Sequence, residues 1–347
     1  MSICSLREAI DRLRSPYGRE EFATLTGCGV LIVDLPIEEA PSSLHAEVEV
    51  ARRALRELAC PTIALRAPEI SSLGAALVDA FDVVLEAGDG GRLNALLQCV
   101  EAHPRASLGL VQLLRHGEGL SIHEGLIAES LVYSMLQSGA EFQSWLETRS
   151  PGRPQASDAS AVLIEREGDR LDLILNRPER HNAFGLALRD GLVEGLQLAA
   201  SDSKIAEIVL RGAGPSFCSG GDLDEFGDFP DPATAHAVRS VRNPARLLSA
   251  LAPRTRARVH GACIGAGVEL PAFVSRVVAA ESAFFQLPEV GMGLVPGAGG
   301  TVSLPRRIGR QRSAWLALTG ERIDAQQALA WGLVDAVVSD GEFFEPR

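Results

Sequence analysis

The sequence predicts an α/β protein in two parts, and three observations carry that prediction. Downstream of residue 160, short apolar strand-like runs alternate with longer segments of helical periodicity, the pattern of parallel strands joined by helices. Glycine-rich turns at Ser219-Gly220-Gly221 and Gly265-Ala266-Gly267 interrupt that alternation where predicted strands end. Between the two parts, the stretch from Arg149 to Ser160 is rich in Pro, Gly and Ser and has no periodic apolar face, which reads as a linker. The resulting division is an N-terminal region over 1–149, a linker over 150–160 and a core over 161–347.

In the N-terminal region, Val30–Leu35, Pro61–Leu65 and Val83–Leu85 read as strands and Ala46–Leu58 as a helix. From Arg92 to Trp145 the pattern is helical, broken at Pro104 and at Gly117-Glu118-Gly119, and these amphipathic stretches show no chemistry of their own. The core opens with a hairpin, Ala161–Glu165 and Leu171–Leu175 around Gly168-Asp169. A helix over Leu186–Ala200 follows, with Leu188, Leu192, Leu196 and Ala199 on one face. Ile205–Leu210 is a buried strand, Glu225–Pro232 a polar loop, Ala235–Ala250 a helix and Arg256–Val259 a strand entering a helix near Ala266. A faint internal repeat joins the two parts: Leu58–Leu65 is similar to Leu251–Arg258, and Val78–Val84 to Leu270–Val278.

With 347 residues, 46% of them apolar, the chain has ample material for a core. A net charge of −12 and the lack of a basic stripe argue against nucleic acid or an anionic membrane as partner. The six cysteines are scattered without a C-x-x-C pair, so no disulfide framework or zinc site is expected, and a reducing cytoplasm is the expected compartment. Charges at Arg7, Glu8, Asp11, Arg12 and Arg14 interrupt any signal-peptide core, and no stretch is long enough to span a membrane. His181, His236 and His260 fit no metal-ligand spacing and are expected at loops or strand ends, so no metal is predicted.

Chemistry concentrates in Phe217–Leu223, Gly265–Leu270 and Leu287-Pro288-Glu289. Two small-residue turns that free backbone N–H groups, followed by carboxylates at Glu269 and Glu289, are the parts needed to stabilise an enolate and move protons around it. Cys218 and Cys263 have no histidine placed to activate them and read as small buried residues. Asp222 reads as a stabiliser of its own turn. The run Pro296-Gly297-Ala298-Gly299-Gly300 looks like a phosphate cradle but lacks the Lys-Ser/Thr ending of a P-loop.

Five ordered blocks over about residues 161–338 closely resemble the crotonase superfamily, the enoyl-CoA hydratase and isomerase group. They are Asn176–Phe184, Phe217–Leu223, Gly261–Leu270, Phe285–Thr301 and Gly320–Val334. The resemblance implies a spiral of ββα units, with Gly221 and Ala266 as the two N–H donors to a thioester oxygen. Glycine at 221 lets backbone approach a ligand closely, and the helix N-terminus between Gly265 and Gly267 adds partial positive charge. It further implies that Glu269 activates a water and that Glu289 gives a proton to the α-carbon, both in a largely apolar pocket that raises and couples their pKa values. Contacts to the coenzyme A carrier fall on Arg180, Ala183, Ser219, Gly220, Gly221, Asp222 and Leu223, and the Pro296–Gly300 run shapes the acyl pocket. No permanently bound cofactor is implied, since the substrate arrives as a coenzyme A thioester. The family's trimer or hexamer makes a homo-oligomer the expected assembly, and fatty acid metabolism the expected setting.

The retained pair of glutamates favours hydration of a trans-2-enoyl-CoA, or the reverse dehydration. Two alternatives stay open at this level: an isomerase or other acyl-CoA enolate reaction, and a non-catalytic subunit that binds acyl-CoA or a partner. The chain also departs from the family. It stops soon after Trp331–Asp335, whereas a segment resembling the family's closing helices stands upstream, from His103 to about Phe142. The N-terminal region is therefore read as a degenerate crotonase-like unit whose helices close the downstream core.

Overall fold

The computed structural model describes residues 3–35, 48–149, 160–228 and 231–344. The stretch read as a linker lies outside these except at Ser160. Upstream, β1 (Cys4–Ser5), β2 (Leu31–Leu35), β3 (Thr62–Arg66) and β4 (Val83–Glu86) form an all-parallel sheet in sequence order. Successive side chains of a strand face opposite sides. Leu31, Val33 and Leu35 accordingly enter a core of their own with Leu6, Ile10, Leu55, Leu73 and Phe81. Ile32, Ile63, Val83 and Leu85 join the large core of the downstream part. Burial on both faces explains why these strands read as continuous apolar runs.

The main sheet has six strands. The hairpin β5 (Val162–Glu167) and β6 (Arg170–Leu175) is antiparallel, and β6 continues in parallel through β7 (Glu207–Gly212), β8 (Thr255–Val259), β10 (Arg276–Ala280) and β13 (Ala336–Val338). A small second sheet, β9 (Ala262–Ile264), β11 (Phe284–Gln286) and β12 (Ile323–Asp324), lies along the glycine-rich turns. The helix Leu186–Ser201 buries Leu188, Leu192, Leu196 and Ala199 as its periodicity predicts. The helix expected over 235–250 is two, Pro232–Val241 and Pro244–Leu251. Pro244 has no N–H to continue the first, and Asn243 caps the second by accepting from Arg246 N.

The upstream helical stretch resolves into Gly90–Ala102, Pro104–Gly117, Ile122–Gln137 and Ala140–Glu147. Pro104 opens its helix at N1, and Ser121 with Glu124 forms a reciprocal capping box on the next. The middle two pack on the downstream helix Gly300–Ile308 within the same chain, and Leu110, Leu114 and Leu126 share one core with Leu294 and Val302. A buried polar hub adds to this seam. Asp82 accepts from Thr62, from Arg115 and, at 3.1 Å, from Arg310 on the downstream helix Arg310–Thr319. No helix among the described residues is long and apolar enough to cross a membrane.

Candidate active site

The two glycine turns are stitched to each other by short strand-like bridges. Cys218 N donates to Ala262 O and Ile264 N to Cys218 O, at 3.1 and 2.9 Å. On the other side Phe184 N donates to Gly220 O and Asp222 N to Phe184 O. The turns touch at Gly265, where a Cβ would stand 3.5 Å from Gly220 Cα and 2.5 Å from Glu289 Oε1. Gly265 also has φ +50° and ψ −118°, a combination closed to L side chains. Immediately after it, Ala266 begins the single helical turn Ala266–Glu269, so its N–H has no intrahelical acceptor. Gly221 N–H, like Ala266 N–H, donates to no backbone group among the described residues. Two free N–H groups thus stand one residue beyond the contact between the turns.

Glu269 closes that helical turn and is 2% exposed. Its Oε2 accepts from Ala298 N at 2.7 Å and Gly300 N at 2.8 Å. Glu289 opens a 3-10 turn after β11. Its residue is only partly covered, yet Oε2 is buried without a hydrogen-bond partner. Burial, first of all, pushes Glu289 up to about 8, with the Glu129 charge adding to it. Burial raises Glu269 as well, followed by the charges of Glu289 and Glu129, against the pull of its two N–H donors. Two carboxyls coupled in this way share their protons as a pair.

The residues expected to contact the carrier gather in one loop cluster. Asp222, 3% exposed, accepts from Arg177 at 3.0 Å and from Arg180 at 2.9 Å, and Arg180 also bonds Asp224. The Asp222 carboxylate therefore holds the turn instead of facing outward, and Arg180 is spoken for by two aspartates. Ser219 N donates to His181 O, Ala183 N to Arg180 O and Gly185 N to Ala183 O. Gly220 takes φ +92°, and Leu223 stands exposed at the rim of this loop.

Histidine positions depart from expectation in one case. His236 lies within the helix Pro232–Val241, in the stretch read as a helix over 235–250, with Nδ1 2.9 Å from Ser130 Oγ. His181 pairs with Ser216 Oγ, and His260 Nε2 lies 2.8 Å from Gly214 O. Among the described residues no cluster of His, Cys, Asp and Glu is placed to hold a metal ion. Cys218 and Cys263 are buried side by side, and burial raises both thiols.

The upstream helices do carry chemistry, which the sequence reading missed. Glu129, on Ile122–Gln137, is 2% exposed and accepts from Gly299 N, Thr301 N and Thr301 Oγ1 at 2.7, 2.9 and 2.7 Å. Burial pushes it up to about 7 against those donors. One turn on, the Tyr133 ring packs where a Cβ on Gly297 would be, and Arg239 stacks over it at 4.9 Å. The signal was a charge on the inward stripe of an amphipathic helix, flanked by Gly125, Leu126 and Ser130. The apparent phosphate cradle around 296–301 is thus filled by two carboxylates, Glu269 and Glu129, reaching it from opposite parts of the chain.

Comparison with known proteins agrees with this geometry. The sequence profile of the enoyl-CoA hydratase/isomerase family matches residues 170–346. The chain is 40% identical to a 2,3-dehydroadipyl-CoA hydratase of Escherichia coli over 178 residues, 51% of this chain and 69% of the relative. It is 38% identical to a 1,2-epoxyphenylacetyl-CoA isomerase of the same organism over 183 residues, 52% of this chain and 70% of the relative. Among solved structures, an enoyl-CoA hydratase subunit from Geobacillus kaustophilus matches with a TM-score of 0.50 and 31% identity, covering 54% of this chain and 72% of that one.

Proposed function

This chain belongs to the enoyl-CoA hydratase/isomerase family, the crotonase superfamily, and within it we propose that the protein is an enoyl-CoA hydratase adding water syn across a trans-2-enoyl-CoA thioester. The observation that carries the reading is the pair Glu269 and Glu289, the first buried one helical turn beyond Gly265, the second with Oε1 against Gly265 and Oε2 buried without a partner.

The thioester oxygen sits at Gly221 N–H and Ala266 N–H, where the negative charge that develops on it meets two preorganised donors, an arrangement worth about 3–4 kcal/mol per donor in comparable sites. The reaction calls for the pair in its singly charged form, one carboxylate beside one carboxylic acid. Two N–H donors to Glu269 favour placing the charge there, while the partnerless Oε2 of Glu289 favours the protonated form. Glu269 takes a proton from water as its hydroxyl adds to the β-carbon, and Glu289 gives its proton to the α-carbon. The two carboxyls end with protonation states exchanged, and dehydration runs the same steps backwards. The coenzyme A carrier leaves past the Arg180 and Leu223 loop, with Ala183, Ser219 and Gly220 offering backbone and Arg180 its remaining N–H groups.

The test is loss of the conjugated-thioester absorbance when the protein meets crotonyl-CoA and a longer trans-2-enoyl-CoA. Rapid loss that Glu289→Gln and Glu269→Gln each abolish supports hydration. A double-bond shift in a 3-enoyl-CoA that survives one of the two substitutions, with no water added to either 2-enoyl-CoA, overturns it in favour of one-base isomerisation.

A further inference from the structure

Four successive backbone N–H groups, from Ala298 to Thr301, alternate between two buried carboxylates. Ala298 and Gly300 donate to Glu269, whereas Gly299 and Thr301 donate to Glu129, which also takes the Thr301 hydroxyl. Neighbouring N–H groups of this row therefore point to opposite sides, and neither set keeps its direction unless the other is satisfied. Resting on the hydratase reading above, we propose that Glu129, carried by the upstream region, is a positioning residue of the reaction: it clamps the Ala298–Thr301 backbone and so fixes the carboxylate of Glu269.

Around Glu129 stand Tyr133 on its own helix, Arg239 from the helix Pro232–Val241, and the two carboxyls Glu269 and Glu289. Arg239 directs its hydrogen bonds to Ser130 and Ser134, so the Glu129 carboxyl is held by the three donors of the loop. Loss of Glu129 would leave three buried donors without an acceptor, on the same run of backbone whose other two N–H groups hold Glu269. Its negative charge also faces Glu289 and opposes ionisation there.

The experiment uses the full chain and the variants Glu129→Gln, Glu129→Asp and Thr301→Val, with kcat and KM for a trans-2-enoyl-CoA followed across pH. In parallel, the infrared band of protonated carboxyl groups is titrated without substrate. For Glu129→Gln the expected result is a roughly 10- to 100-fold fall in kcat with KM within about threefold, and an alkaline limb displaced to lower pH by about one unit, together with the infrared titration. Glu129→Asp recovers part of kcat and keeps the limb. Thr301→Val, which removes one donor and no charge, lowers kcat a few-fold and leaves the limb in place.

A folded Glu129→Gln with wild-type kcat, or one whose limb and infrared titration do not move, overturns the proposal. Should Glu129→Gln fail to fold, an unchanged kcat in Thr301→Val overturns it instead. If even the unmodified protein turns over no enoyl-CoA, the hydratase reading falls, and the infrared titration alone decides the role of Glu129: displacement supports it, coincidence with the unmodified protein removes it.

Discussion

The strand pair β3/β4 upstream and the strand pair β8/β10 downstream follow one plan. Both are parallel, and the segments joining them, residues 67–82 and 260–275, are equal in length. Their registers superpose residue for residue: Ala64 pairs with Val84 as Ala257 pairs with Val277, and Asp82 N donates to Thr62 O as Ser275 N donates to Thr255 O. What differs is the joining segment. Upstream, Ser71 caps the helix Ser72–Leu77, no residue of 67–82 takes positive φ, and Ala76 stands where Glu269 stands downstream. Downstream, Gly261 and Gly265 take positive φ, β9 splits off, and one helical turn ends in a carboxylate. The comparison teaches that the strand pair is scaffold, and that chemistry enters with a few glycines and one acid in the connection.

The most severe way to break the comparison is to make the downstream segment resemble the upstream one. Glu269→Ala removes the base and leaves the N–H groups of Ala298 and Gly300 without an acceptor. Hydration of crotonyl-CoA is expected to fall by about 10²- to 10⁴-fold. Adding Ala76→Glu to that variant restores nothing, because the upstream connection has neither a free N–H turn nor a counterpart of Glu289; recovery of activity would refute the distinction.

Asp82 and Ser275 occupy matching positions with different duties. Asp82 holds Arg115 and Arg310 in a buried hub across the seam, whereas Ser275 Oγ donates only to Thr255 O at 2.8 Å. Asp82→Ala is expected to cost about 3–5 kcal/mol by stranding two buried guanidinium groups, and Ser275→Ala about 1 kcal/mol. Chemical denaturation of both variants reads the difference. Equal losses would mean that the upstream sheet is not anchored through Asp82.

A pH series probes the downstream connection and its neighbour Glu289, since Glu269 and Glu289 are both raised while Ala76, the upstream counterpart of Glu269, has no charge to titrate. Glu289 titrates near 8 when folded and near the ordinary 4.5 when unfolded, so the folded state binds more protons between these values. Stability from this group is complete below about 4.5 and is lost as pH rises through 8. Glu289→Gln should therefore flatten the dependence of Tm on pH across that window and exceed the unmodified protein in stability at pH 9, by a few kcal/mol at most. An unchanged slope would show that Glu289 is not protonated in the folded protein at neutral pH.

Local chemistry explains what was legible in the sequence. Alternation and helical periodicity located β2, β3, β4, the β5/β6 hairpin and Leu186–Ser201, because each is specified by residues close in the chain. The glycine turns and Glu269 were legible for the same reason, a short motif with a backbone requirement. β1, with two residues, and the helix Leu6–Arg14 escaped notice, as a two-residue strand exists only through its neighbour β2. Glu129 lies 170 residues before its partner Gly299, and only tertiary packing brings them together. Its one local sign, a carboxylate on an inward stripe, is easily read as a solvated charge on a slightly rotated face.

The mildest substitutions sharpen the comparison at one matched glycine. Gly74 and Gly267 fall at the same register position, each in the helix of its connection. A Cβ on Gly74 meets Ile70 Cβ and Ser71 Oγ at 3.5 Å and Leu35 Cβ at 3.7 Å, which is ordinary contact. A Cβ on Gly267 would stand 2.4 Å from Cys218 O, the carbonyl that accepts from Ile264 N and binds the two turns together. Gly267→Ala must push those turns apart, with an expected cost of about 1–3 kcal/mol and most of the activity. Gly74→Ala, in a capped helix with room for the methyl, should instead stabilise by about 0.5–1 kcal/mol through helix propensity and a less flexible unfolded chain. Thermal unfolding and crotonyl-CoA turnover of the two variants decide it. Opposite signs in stability, with activity kept only in Gly74→Ala, mean that one scaffold position tolerates a side chain wherever no N–H turn has to be packed against it.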